Sequence, residues 1–127
     1  QRWEYLQWMT YLTNTLQETM LLKRYSSGYT TDTDTSAVSD SATTRLTQIL
    51  HVLEAGLEKH GGPFFLGDRL TTADIYLNMV LGWDPEIGAG AREVNDWPNV
   101  SKSYDALFSR DDVARILLAN DFPGPTP

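Results

Sequence analysis

Phe64-Phe65-Leu66-Gly67-Asp68-Arg69-Leu70-Thr71-Thr72-Ala73-Asp74-Ile75 is the stretch that decides how this chain folds. Thr71 is a helix N-cap, and Asp74, three residues on, can reach back to the Thr71 backbone N–H. Together they form a capping box with Asp in place of the usual Glu. Leu70 before the cap and Ile75 after the box are placed to make a hydrophobic staple. The helix that this signal opens, 72–83, is apolar nearly all round, with Ile75, Tyr76, Leu77, Met79, Val80, Leu81 and Trp83. A helix of that kind runs through the middle of a domain rather than along its surface. Gly82 suits close helix packing.

Upstream, Val38, Ala42, Leu46, Ile49, Leu50, Leu53 and Leu57 form the core stripe of a helix that starts between Asp34 and Asp40, where several capping residues compete. It ends at Lys59-His60-Gly61-Gly62, with glycine for the left-handed cap. The chain opens with another helix, 2–25. Tyr5, Met9, Leu12, Leu16 and Met20 recur at spacings of four and three, and Trp8, Leu21 and Leu22 widen the stripe. A second side of this helix carries Leu6, Thr10, Thr13, Asn14 and Gln17, polar beyond Leu6 yet uncharged. Lys23 and Arg24 suit the negative pole of the helix dipole, and Ser26-Ser27-Gly28 stops it. Between these helices, 26–44 is compositionally biased: eleven of its 19 residues are Ser or Thr and three are Asp. Its first half, 26–36, cannot build a core and is expected to be a flexible surface loop.

Downstream, Asp84 to Asp96 is a loop rich in Pro, Gly and acidic residues. Trp97-Pro98 opens a further helix, with Pro suited to its first turn and Val100, Tyr104, Leu107 and Phe108 inward. Ser109 or Asp111 caps a last short helix with Val113, Ile116 and Leu117. Asp121 to Pro127, with three prolines, is a tail. No strand, hairpin or repeat signal occurs. The expected fold is all-α, a bundle of about five helices in a single domain over 1–120.

The 127 residues suit one core. Ten Lys and Arg against 17 Asp and Glu leave a charge of −7, which argues against nucleic acid and against an anionic membrane surface as partners. The longest apolar stretch, Ile75 to Trp83, is far too short to cross a bilayer. Zero cysteines exclude a disulfide framework and a thiolate nucleophile, and fit a reducing, cytoplasmic setting. A chain that begins at Gln1 with a helical pattern already running reads as part of a longer polypeptide. His51 and His60 have no partners at metal-ligand spacing, Gly88-Ala89-Gly90 lacks the rest of a dinucleotide loop, and no nucleophile elbow is present. No residue is therefore assigned to catalysis or to a metal. Most of the aromatic residues belong to the core. Trp83 is the exception, because it ends the central helix where the core meets an opening.

The block from Phe65 to Ile75 resembles the signature of the C-terminal domain of cytosolic glutathione transferases: Phe-Leu, Gly-Asp, then Ser/Thr-x-x-Asp opening the central helix. Leu6-Gln7-Trp8-Met9-Thr10-Tyr11-Leu12 is similar to the first helix of that domain in bacterial-type members. Trp97-Pro98-Asn99-Val100 with Tyr104, then Ser109-Arg110-Asp111-Asp112-Val113, resembles its later helices, with Asp111 where the family has Pro. The resemblance implies a thioredoxin-like N-terminal domain that binds glutathione as co-substrate and activates its thiol. The helical half then supplies the wall for a small hydrophobic or electrophilic ligand and part of a homodimer contact. Thr10 stands where bacterial-type members have an Asn that approaches glutathione, Gln17 where they have a His pointing into the active site, and Trp83 at a Trp lining the pocket. An amide is neither acid nor base at neutral pH. The expected substrate-binding residues are Thr10, Asn14, Gln17 and Trp83. The alternatives are a non-catalytic assembly module and a stand-alone small-ligand-binding domain.

Overall fold

The computed structural model describes residues 1–84 and 96–120. The tail 121–127 and the loop expected after Asp84, apart from Asp96, lie outside the described residues. The elements are α1 (Arg2–Tyr11), a π-helical stretch (Leu12–Gln17), α2 (Glu18–Arg24), a short 3-10 turn (Ser26–Gly28), α3 (Ser36–Glu58), α4 (Thr72–Leu81), α5 (Pro98–Phe108) and α6 (Asp111–Ala119). The architecture is an all-α bundle, as the periodicity predicts. Within the described residues, extended pairing is limited to the isolated bridges Phe64–Gly67 and Leu66–Arg69.

The long first helix is continuous from Arg2 to Arg24, but its hydrogen-bond ladder widens over Leu12–Gln17. Its packing residues explain why. Trp8, Leu12, Leu16 and Met20 fall four apart; Leu12, Leu16 and Met20 are buried, and Trp8 packs on the same core. In a plain α-helix each four-residue step overshoots a full turn by about 40°, so such a stripe drifts off its target. The wider turn, bonded i to i+5, takes up that drift and keeps the stripe facing α3 and α4. Hydroxyls accompany the change: Thr13 Oγ1 donates to the Met9 carbonyl at 2.9 Å and Thr19 Oγ1 to the Thr15 carbonyl at 2.7 Å. Back-bonding of this type loosens and bends helices.

The turn from α3 into α4 is built on close backbone approaches. Gly61 closes α3 at φ 72° and Gly67 sits at φ 79°, the left-handed region that glycine occupies without strain. A Cβ on Gly62 would lie 2.2 Å from the carbonyl carbon of Gly67, so only a residue without one fits there. The turn delivers Thr71 in extended conformation as the N-cap of α4, and the capping box is formed in both directions. Asp74, fully buried, accepts from the Thr71 N–H at 2.8 Å and from the Thr71 hydroxyl at 2.7 Å through Oδ2. Its Oδ1 accepts from the Phe65 N–H at 2.8 Å. The Phe65 ring in turn stacks on Trp8 of α1, centroids 4.3 Å apart. One carboxylate thus holds the helix start, the preceding turn and, through Phe65, the first helix in register.

α4 packs against α1, the π-helical stretch and α5. It buries Ala73, Leu77, Val80 and Leu81 together with Asp74 and Asn78. Its burial is one-sided, however: Ile75 is 48% exposed and Met79 45%. These residues lie four apart on one stripe, and no described element covers it. The helix stops at Leu81 with Gly82 as C-cap, leaving Trp83 in the turn beyond.

α3 starts at Ser36, whose N–H is held by Asp34 Oδ1 at 2.9 Å. From near its C-terminal end, Glu54 reaches across to the start of α5, accepting from the backbone N–H groups of Asn99 and Val100 and from Asn99 Nδ2. α5 therefore opens on Pro98, as expected, but its free N–H groups are met by a carboxylate from another helix. α6 begins after Arg110, not on a Ser109 or Asp111 side-chain cap. It buries no residue completely, and Ile116 is 61% exposed.

Candidate functional site

Trp3, Leu6, Gln7, Thr10, Tyr11, Asn14 and Thr15 line an open groove of about 500 Å³ along the outer side of the first helix. Thr10 and Asn14, two of the expected substrate-binding residues, lie within it and are exposed. Thr13, from the same polar stripe, is turned inward to the Met9 and Thr10 carbonyls and to Asn14 Oδ1. Trp3 stands 83% exposed at the groove's outer end. The lining carries no charged side chain. It combines indole, phenol and aliphatic surface with amides and hydroxyls, the composition that suits an apolar ligand with a few hydrogen-bonding groups.

Gln17 and Trp83 are placed differently. Gln17 is half-buried, and its Oε1 accepts a hydrogen bond from the Tyr76 hydroxyl of α4. That bond bridges the π-helical stretch to the central helix. Trp83 is half-buried against the core, and its carbonyl accepts from Arg24 at 2.7 Å. Next to it, Lys23 pairs with Asp84. Lys23 and Arg24 thus act on the C-terminal end of α4 as well as on their own helix dipole. Thr10 and Asn14 share the open groove, whereas Gln17 and Trp83 lie deeper, along the seam between the first helix and α4. Tyr76, absent from the sequence-derived set, was hidden among the apolar residues of the central helix. Its phenolic end, which wants a partner when buried, is the signal that could have singled it out.

Electrostatics at the site are muted. Burial pushes the Tyr11 phenol above its ordinary value, with Arg45 opposing. At the near end of α1, Glu4 Oε1 takes hydrogen bonds from Lys59 at 2.7 Å and from His60 at 2.9 Å. Those bonds hold its carboxyl down at about 2, and they fasten the first turn of the groove-bearing helix to the exit of α3. His51, the other histidine, is exposed and lies edge-on to Trp97 at 4.4 Å. Among the described residues, no three His, Cys, Asp or Glu side chains gather to hold a metal ion. Nor is any described helix long and apolar enough to cross a membrane.

The family model for the glutathione S-transferase, C-terminal domain, matches residues 14–111, more than three quarters of the chain. The chain belongs to that family. The match takes in Asn14, Gln17, Thr71, Asp74 and Trp83, while Thr10 and most of the groove lie just before it. No curated protein and no solved structure matches the chain. The family's all-helical domain is the fold described above, with the Thr71–Asp74 box at the start of its central helix.

Proposed function

We propose that this chain is the C-terminal half of a glutathione transferase-like enzyme and forms the wall against which an apolar, electrophilic substrate lies. The observation that carries the reading is the uncharged groove on the first helix of a domain of this family. Glutathione, a tripeptide with two carboxylates and an ammonium group, calls for ionic partners, and the groove lining has none. The apolar substrate is the better occupant of this half. In the complete enzyme the glutathione thiol, deprotonated by a thioredoxin-like N-terminal domain, forms the sulfur–carbon bond to the electrophile as the carbon–halogen bond of an aryl halide breaks and halide leaves with the electron pair. The helical half contributes by burying the apolar body, excluding water from one side and orienting it through Thr10, Asn14 and Gln17. Met79 and Ile75, half exposed on α4, offer apolar surface to the partner domain.

The test joins the chain to its upstream coding region and assays glutathione conjugation to an aryl halide. Activity is expected in the joined protein and not in the 127 residues alone. Conjugation by the short chain would show that the chemistry has been misplaced, and an upstream region with no thioredoxin-like domain would remove the enzymatic reading. A second reading, a non-catalytic assembly module, is favoured by α6, where Ile116 and Leu118 are 61% and 78% exposed. Replacing both with Asp would then abolish partner binding and spare any conjugation activity.

A further inference from the structure

We propose that Ser27 is a phosphorylation site for a protein kinase directed by upstream basic residues, and that its phosphate unlatches the end of the central helix by drawing Arg24 off the Trp83 carbonyl. The sequence Lys23-Arg24-Tyr25-Ser26-Ser27 puts two cations just before two serines, the kind of charge pattern by which such kinases choose a substrate. The fold separates the two hydroxyls. Ser26 is half-buried, and its Oγ donates to Thr35 Oγ1 at 2.9 Å. Ser27 is exposed in the 3-10 turn that follows the first helix, and its side chain makes no hydrogen bond among the described residues. In the transfer, Ser27 Oγ bonds to the γ-phosphorus of a nucleoside triphosphate held by the kinase. The bond from that phosphorus to its bridging oxygen breaks, the diphosphate leaves with the electron pair, and the hydroxyl proton passes to the kinase's general base.

What the phosphate does follows from its neighbours. Arg24, three residues back, holds the C-terminal end of α4: its Nη1 donates to the Trp83 carbonyl at 2.7 Å, beside the Lys23–Asp84 ion pair. The chain keeps turning from Arg24 to Ser27, with the Tyr25 N–H on the Leu21 carbonyl and the Gly28 N–H on the Tyr25 carbonyl. A phosphate on Ser27 is therefore within reach of the guanidinium. A dianion with three acceptor oxygens is a stronger partner for that group than one neutral carbonyl. It also stands at the negative pole of the first helix, where added negative charge frays the last turn. Both effects loosen the hold of Arg24 on Trp83.

The folded chain serves for the test, incubated with magnesium ATP and a kinase that requires arginine three residues before its serine. Mass spectrometry is expected to find one phosphoryl group, on Ser27, kept in Ser26→Ala and lost in Ser27→Ala. Amide hydrogen exchange then reads the latch. The Trp83 N–H, bonded to the Val80 carbonyl at 3.1 Å, should exchange about fivefold faster after phosphorylation, the worth of one net hydrogen bond. Arg24→Ala should give the same acceleration with no phosphate present. The amides of Thr71 and Asp74 should keep their exchange rates in both cases, which separates unlatching from unfolding. No phosphoryl group, one on Ser26 alone, or a phosphorylated chain with unaltered Trp83 exchange would overturn the proposal while leaving the ligand wall standing.

Discussion

The start of α4 and the outer side of the first helix follow opposite rules. At the first, the polar groups of the capping box are paired with one another. Asp74 is fully buried and shares its two oxygens among three donors, and the turn before it tolerates no Cβ at Gly62. At the second, amides and hydroxyls face an open groove, and Trp3 stands almost free of the fold. The contrast separates what holds the domain together from what it presents. Groups committed to one another specify a structure, and groups left without commitment are available to a ligand or a partner domain.

The largest expected break in that contrast is at Asp74. Asp74→Ala strands the Phe65 and Thr71 N–H groups and removes the cap, a loss of about 2–4 kcal/mol, read as a lowered urea midpoint. Gly56→Ala comes next. Its Cβ would meet the Trp8 indole at 2.3 Å, and Trp8 is also stacked on Phe65. Overpacking of this kind costs about 1–3 kcal/mol, and near-ultraviolet circular dichroism should report the displaced indole. On the outer side, Thr10→Ala with Asn14→Ala is expected to change stability by less than about 0.5 kcal/mol. The same pair should weaken binding of an apolar ketone several-fold in equilibrium dialysis.

The smallest effect lies where the two regions are fastened together. Glu4 has its pKa lowered from 4.5 to about 2 by hydrogen bonds from Lys59 and His60. A carboxylate depressed on folding adds stability that is complete above the unfolded pKa and is lost as the pH falls through the folded one. The contribution should therefore fade between pH 4.5 and 2, and urea titrations across that window should show a shallower slope for Glu4→Gln than for wild type. An unchanged slope would mean that the clamp does not form in solution.

Much of the fold is legible in the sequence because its signals are local. Thr71 and Asp74 are three residues apart, Pro98 marks the first turn of α5, and the stripes of α1 and α3 repeat within one helix. What escapes are the pairings across long stretches of chain. Asp74 reaches back to Phe65, Glu54 caps α5, Arg24 holds the Trp83 carbonyl, and Tyr76 meets Gln17. Periodicity assigns a residue to a face but does not name what lies opposite. For the same reason Ile75 and Met79 read as core, since an apolar residue is written identically whether its own chain or another body covers it. The polar stripe Thr10, Asn14 and Gln17 is visible in sequence, yet only the fold separates Gln17, tied to the central helix, from the two that face the groove.

The widened turn at Leu12–Gln17 amounts to one residue of slack wound into an otherwise regular rod. Shortening that stretch by a single residue would let the ladder close as ordinary α-helix while the segments on either side keep nearly the same rotation about the axis, because the wider turn already absorbs the extra residue. Closing the turn with all its residues retained would instead rotate everything beyond it by about 100°, so the hydrophobic seam and the bond between Gln17 and Tyr76 both depend on the widening itself.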